Sequence, residues 1–168
     1  SWPSVVSTSS SVGTVDYTVA NPTTYITAFS SPYDWHYSSG DNTLWQSGKT
    51  IYDPCPAGYR VPDGGDSGVW SIAHGSSSSY IGTFDSINRG FDFSGDFGED
   101  ATIWYPCAGY RTYNDGSWSV IGHYGHYWSV SPNDYGAYRL RFDYEGNVGP
   151  SFNDNRADGN SVRCLKEG

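Results

Sequence analysis

At 168 residues, with 18 acidic side chains against nine basic ones, the chain is one domain's length of polypeptide with a formal charge of −9. Such a field repels phosphate backbones and anionic membranes, which argues against nucleic acid as a partner, and no apolar run reaches the roughly 20 residues that a membrane span needs, which argues against direct membrane insertion. Seventeen per cent aromatic residues, with 21 glycines and nine prolines, argue against a helical bundle and predict short strands and tight turns around a ring-rich core, an all-β or α+β domain.

The opening stretch, Ser1 to Ser11, is serine-rich and low in complexity, so residues 1–20 read as a linker or extended edge segment from an upstream domain. The chain opens on serine and has no methionine, which points to a processed protein or an excised domain whose export signal or anchor lies upstream. Val12 to Val19 alternates only loosely before Asn21-Pro22 breaks it, and Thr24 to Phe29 is the first convincing strand. From Ser31 to Gly48, Tyr33, Trp35, Tyr37, Leu44 and Trp45 stand among Ser, Gly, Asp and Asn, the profile of an ordered loop pinned by aromatic anchors.

Three prolines rigidify Tyr52 to Pro62 into an extended, well-placed segment. The helix candidate follows within Asp63 to His74, where Val69, Trp70, Ile72 and Ala73 precede a stop at Gly75 and Gly68 keeps the helix short. A serine run and then Tyr80 to Ile87 follow, with Gly90 after them, and strands are expected at Phe91 to Phe93, Ile103 to Tyr105, Trp118 to Ile121, Tyr127 to Val130, Tyr138 to Asp143 and Ser161 to Leu165. In Tyr138 to Asp143 the alternation is strict: Leu140 and Phe142 face the core, and Arg139, Arg141 and Asp143 share the solvent face. Val162 and Cys164 share a face of the last strand. Asp92, Asp96, Glu99 and Asp100 crowd one loop, but their spacing fits no calcium loop, and a solvated acidic turn is the better account; no metal and no cofactor are assigned.

Cys55, Cys107 and Cys164 permit one disulfide with one leftover thiol in an exported setting, or three buried reduced thiols. An enzyme would need a catalytic constellation, and none is found. His123 and His126 could offer two imidazoles to zinc, yet no third ligand stands near them, and surface histidines are the better reading. No Gly-x-Ser-x-Gly elbow occurs.

Three phrases, Asp53-Pro-Cys-Pro-Ala-Gly-Tyr-Arg-Val-Pro62, Trp104-Tyr-Pro-Cys-Ala-Gly-Tyr-Arg111 and Asn155-Arg-Ala-Asp-Gly-Asn-Ser-Val-Arg-Cys164, resemble the C-terminal domains of Bacteroidales surface proteins with a C-type-lectin-like fold. More narrowly, Gly109 to Glu167 is similar to the variable region of target proteins of diversity-generating retroelements, with Tyr127-Trp128-Ser129 and the Arg-Ala-x-Gly-x-Ser-Val-Arg-Cys ending as fixed landmarks. The resemblance covers roughly Tyr52 to the end. It implies an α+β, C-type-lectin-like fold of mostly short antiparallel strands and long ordered loops with one or two short helices, occupying residues 21–168 with a variable region at 109–167.

In that family mutagenic reverse transcription alters adenine-rich codons, which yields Tyr, Ser, Asp, His, Gly, Arg or Val but never Trp, Lys, Met, Gln or Glu. By that rule Trp118, Trp128 and Glu145 are scaffold. The implied ligand-binding positions are Tyr113, Asn114, Asp115, Ser117, Ser119, Val120, His123, Tyr124, His126, Asn133, Asp134, Tyr135, Arg139, Arg141, Asp143 and Tyr144. Composition supports a binding role independently: Tyr gives rigid amphipathic area, and Ser, Asn, Asp, His and Arg give adaptable hydrogen bonding, as in antibody loops. Glycines at 116, 122, 125 and 136 let the chain turn between these positions.

The resemblance also implies a small residue in place of Cys107, which leaves Cys55 and Cys164 as the disulfide pair. Ser131-Pro-Asn-Asp134 only partly echoes the motifs of calcium-dependent lectins, so calcium-mediated sugar binding is not assigned. The lectin-like fold also houses oxidases that generate formylglycine with a pair of cysteines, and one free thiol does not meet that need. The expected function is a ligand-binding receptor or adhesin domain with a diversified surface, recognising a protein or glycan receptor on another cell or surface. It would be displayed extracellularly, at a cell surface or pilus tip beside an upstream anchoring or pilin domain, or on a phage particle. The alternative is a non-diversified structural or adhesive module of a pilus or surface lipoprotein.

Overall fold

A computed structural model of the chain describes residues 4–38, 40–74, 82–94, 103–134 and 136–168. The elements begin with β1 (Ser4–Ser7), α1 (Val15–Ala20) and β2 (Thr24–Thr27), in which β1 pairs parallel with β2, Ser4 opposite Thr24 and Ser7 opposite Thr27. The opening residues are thus an edge strand. A parallel pair needs a crossover between its strands, and this one carries α1 over Val15–Ala20, where Val12 to Val19 alternates only loosely. Local chemistry agrees: Thr14 Oγ1 accepts from the Tyr17 amide at 3.1 Å, Asp16 stands in the first turn, and Asn21 closes the end on the Tyr17 carbonyl.

Next come β3 (Tyr59–Arg60) and α2 (Val69–His74). The helix expected from Asp63 starts six residues late because the glycines ahead of it are used otherwise. The Gly64 amide donates to Ser131 Oγ at 3.0 Å, and Gly65 has φ +77°. Within α2, Trp70 and His74 are buried.

Three short strands, β4 (Thr83–Asp85), β5 (Gly90–Asp92) and β6 (Trp104–Pro106), form an antiparallel meander, followed by the hairpin of β7 (Tyr110–Arg111) and β8 (Trp118–Ser119). The largest sheet is β9 (Tyr124–Asn133), β10 (Gly136–Asp143) and β11 (Val148–Asp154), with β10 in the middle. The sequence gives no forewarning of β11, where Gly149 and Pro150 conceal its alternation. The expected strand Ser161 to Leu165 shrinks to β12 (Leu165–Lys166), antiparallel to β3, while Ser161 forms a parallel bridge to Tyr127. Gly75, Tyr80, Asp96, Glu99, Asp100 and Tyr135 lie outside the described residues. The molecule is accordingly β-rich α+β, with two short helices among the described residues.

The core is built from rings. Phe91 and Phe142 are fully buried, with centroids 5.4 Å apart, and Phe93, Tyr105, Tyr127, Trp70, Leu140 and Cys107 surround them. Tyr and Trp can join such a core only with their polar ends satisfied: Trp70 Nε1 donates to Tyr105 Oη at 3.2 Å, and Tyr127 Oη donates to the Pro106 carbonyl at 2.7 Å. Gly125 is required here, since a Cβ at that position would lie 2.0 Å from Phe142 Cζ. A smaller cluster of Cys55, Val61 and Val130 takes in Trp45, Val162 and Cys164. There Cys55 and Cys164 form a disulfide across Cα atoms 5.7 Å apart, and Cys107 is free and buried.

Two stability outcomes follow. Phe142→Ala is expected to cost about 3–5 kcal/mol in denaturant unfolding, because nothing can collapse into the space between Phe91 and Tyr127. Reducing the Cys55–Cys164 bond, which links residues 109 apart, is expected to lower unfolding free energy by up to about 5 kcal/mol on the chain-entropy scale. Denaturation with and without dithiothreitol measures it.

Candidate functional site

The register of the β9–β10 ribbon decides what reaches the surface. Tyr127 lies opposite Leu140 and Gly125 opposite Phe142, and these project into the core. The alternate positions, Tyr124 opposite Asp143, His126 opposite Arg141 and Trp128 opposite Arg139, therefore share the outer face, where Arg139 also meets Phe152 of β11. The β7–β8 hairpin extends this face: Tyr110, opposite Ser119, stacks on His126 with centroids 4.5 Å apart and planes 7° from parallel.

Arg139, Arg141 and Asp143 do share a face, as their alternation predicts, but of the three only Arg141 keeps part of its surface in solvent. Arg139 is 6% exposed, Asp143 3% and His126 5%. The expected surface histidine at 126 and the solvent positions at 139 and 143 are corrected by this burial, and the cause is a polar network. Asp154 Oδ2 pairs with Arg139 Nε, lies 3.4 Å from His126 Nδ1 and accepts from Asn160 Nδ2 at 3.1 Å. Asp143 is a turn cap, accepting from the amides of Glu145 and Asn147 and from Asn147 Nδ2, and pairing with Arg141 at 3.2 Å.

Toward the start of β9 the face opens. The Arg141 guanidinium lies 4.6 Å from the Tyr124 ring centroid and 5.6 Å from that of Phe152. The His123 ring stands edge-on to Tyr144 at 5.4 Å, and Tyr124 is 6.4 Å from Tyr144. His123 and Tyr144 are exposed, and Tyr124 and Arg141 are half-buried. This patch of two tyrosines, a histidine, an arginine and Phe152 is held from beneath by fixed partners. Cation–π and ring contacts of this kind orient side chains without removing their outer surfaces from solvent.

The remaining assigned positions are distributed elsewhere. Ser119 flanks the face beside Tyr110, and Val120 follows it at φ +48°. Tyr113 packs on Tyr33 at 4.9 Å, while its amide donates to Asp158 and its carbonyl accepts from Ala28. Asp115 folds back on Thr112 and Ser117 within the hairpin, where Asn114 and Ser117 are exposed. Asn133 and Asp134 stand at the other end of the ribbon, about 30 Å along β9 from Tyr124 at the usual rise per residue. Asn133 Oδ1 there accepts from Asn153 Nδ2 at 3.1 Å. Trp128 is buried, whereas Trp118, also assigned to the scaffold, is 59% exposed beneath the Arg111 guanidinium, and Glu145 is exposed. Sequence reasoning overlooked Tyr110, Phe152 and Asp154 as parts of this face. Tyr110 lies within a quoted landmark, and the other two belong to the unforeseen β11.

Burial pushes His126 below its ordinary value, the Asp154 hydrogen bond opposes this and the Arg139 charge adds to it, so the imidazole in the stack is neutral near pH 7. Burial raises Asp154 as well, but the His126 hydrogen bond and the Arg139 charge outweigh it and leave a carboxylate. Behind the face, burial and then the neighbouring Asp154 push Asp158 up to about 7. Among the described residues no group of three His, Cys, Asp or Glu side chains could hold a metal ion, and no helix is long and apolar enough to cross a membrane. The arrangement offers stacking and hydrogen bonding, with the buried imidazole 3.4 Å from the Asp154 carboxylate. In comparisons with known proteins, no family model, curated protein or solved structure matches the chain.

Asp158 makes the pH dependence predictable. Its folded-state pKa is raised, so its contribution to stability is complete below the ordinary carboxylate range and is lost as pH climbs through about 7. Asp158→Asn, whose amide oxygen can still accept from Tyr113, is expected to flatten that decline and to raise the melting temperature at pH 8 relative to the parent. Melting temperatures measured across this window check it, and an unchanged slope would contradict the assignment.

Proposed function

We propose that this domain is a ligand-binding module of receptor or adhesin type, with the open end of the outer face of β9, β10 and β11 as its recognition surface. The supporting observation is the convergence of Tyr124, Tyr144, His123 and Arg141 on one exposed patch above a locked layer of Arg139, His126 and Asp154. Tyrosine has large area and few rotors, so an ordered tyrosine patch loses little entropy on binding. The layer beneath keeps it preorganised. The residue types along Gly109 to Glu167, and the landmarks around them, support a C-type-lectin-like scaffold of the kind diversified by retroelements. The ligand is then a protein or glycan receptor, and the domain is displayed outside the cell or on a phage particle.

The burial of His126, Arg139 and Asp143 favours a second reading, a fixed adhesive module, because three of the assigned positions carry interlocked structure that free variation would break. The locus distinguishes them: a reverse transcriptase and a near-identical template repeat beside the gene support diversification, and a locus with neither supports the fixed module.

For either reading, the double variant Tyr124→Ala/Tyr144→Ala is expected to abolish retention on the glycan or protein array feature that the parent domain binds, while the melting temperature moves by only about 2 °C. Retained binding would place recognition elsewhere. A collapse in stability would show the two rings to be structural.

A further inference from the structure

A second candidate site lies at the other end of the ribbon. A cleft of about 420 Å³ opens between α1, the loop around residues 34–52 and the turn end of β9–β10, a volume within the range of about 300–1,000 Å³ typical of small-ligand sites. None of its lining residues belongs to the positions assigned to the variable surface. It would therefore recognise its ligand with fixed residues.

Trp35, Trp45, Tyr52 and Trp128 line it, together with the His36 imidazole, which stands edge-on to Trp35 at 5.3 Å. Trp128 is anchored by its place in β9, and Trp45 by an indole hydrogen bond to the Tyr52 carbonyl at 3.0 Å. Val19 and Ile51, also in the lining, are 75% and 91% exposed. Such walls favour a ligand with an apolar body.

The charges narrow the class. Asp34 lies 3.6 Å from Arg156, whose guanidinium is otherwise committed to the Gly136 and Asp41 carbonyls and to Asn42 Oδ1. Asp41 has no contact ion pair among the described residues, although the His36 and Arg156 side chains favour its charge from further off. Its Oδ1 accepts from the Thr43 amide at 2.8 Å and from Thr43 Oγ1 at 2.6 Å. Counted as the chain's formal charge of −9 is counted, with histidine uncharged, the lining has two carboxylates and the His36 imidazole against one guanidinium, one charge negative. Anions are repelled from such a cleft, while a cation gains both from the carboxylate and from the faces of indole rings.

We propose that this cleft binds a small organic ammonium ion carrying an apolar body, with Asp41 as counter-ion and Trp35, Trp45 and Trp128 as the walls. The assignment is independent of the recognition surface at the far end of β9.

The test titrates the whole chain at neutral pH with 2-phenylethylammonium, and with the similarly sized neutral 2-phenylethanol and anionic phenylacetate, following tryptophan fluorescence and heat. The ammonium ion is expected to bind saturably and at least about fivefold tighter than the alcohol, with no saturable signal from phenylacetate. Asp41→Asn is expected to erase that preference. Ile51→Lys, at a fully exposed position that folding does not need, is expected to weaken the ammonium about fivefold with no change in melting temperature. Tyr124→Ala/Tyr144→Ala is expected to leave ammonium binding intact. Absence of saturable ammonium binding, equal affinity for the alcohol, a preference that survives Asp41→Asn in folded protein, or loss of binding in the double tyrosine variant would each overturn the proposal.

Discussion

In the β9–β10 ribbon every second residue is committed inward by the pairing of Gly125 with Phe142 and Tyr127 with Leu140. The Phe142 ring occupies the space a side chain at 125 would need, and Tyr105, Phe91 and Phe93 close around it. A slip of one residue would exchange the two faces of the ribbon, sending Arg139 and Arg141 into the ring cluster and Leu140 and Phe142 outward. The cost of burying unpaired guanidinium groups among aromatic rings keeps the register in place. Everything on the outer face inherits its position from that register.

The outer face is graded from locked to open. At its middle, Asp154 joins Arg139, His126 and Asn160, and Tyr110 covers the imidazole. What holds this network is the Asp154 charge between Arg139 and His126, and a buried guanidinium without its carboxylate would be strongly unfavourable. Toward Tyr124 the packing thins, so that His123 and Tyr144 have a partner on one side and solvent on the other. A rigid base under an exposed ring patch limits the entropy lost when a ligand docks, which is why locked and open regions belong to the same proposal.

At the opposite end, the cleft depends on a different set of restraints. Asp53 accepts from the Cys55 and Val61 amides at 2.8 and 2.9 Å and from Lys49 Nζ at 3.1 Å, fixing the Pro-rich segment from within. The carboxylate is held below its usual range: burial raises it, but these donors together outweigh burial. The Cys55–Cys164 bond fastens the segment to the stretch before β12, the Val61–Val130 cluster fastens it to the ribbon, and Trp45 packs on the same cluster. The wall of the cleft thus rests on covalent and polar restraints that the recognition face does not share.

The sequence by itself narrowed the domain to a β-rich class and determined inward residues of β10. Aromatic and glycine content argued for β structure, and strict alternation in Tyr138 to Asp143 put Leu140 and Phe142 in the core, because side-chain direction follows from a period of two. Alternation specifies which residues share a face but not what covers it. Tyr110 and Asp154, distant in sequence from His126 and Arg139, bury a face that pattern alone assigns to solvent. The helix at Val15–Ala20 lies within the crossover between β1 and β2, and β11 was concealed by a glycine and a proline whose place in the sheet only the neighbouring β10 supplies. Only the tertiary structure decided that Tyr124, Tyr144, His123 and Arg141 meet while Asn133 and Asp134 stand apart, since proximity across a sheet depends on register and strand order, which no local stretch of sequence encodes.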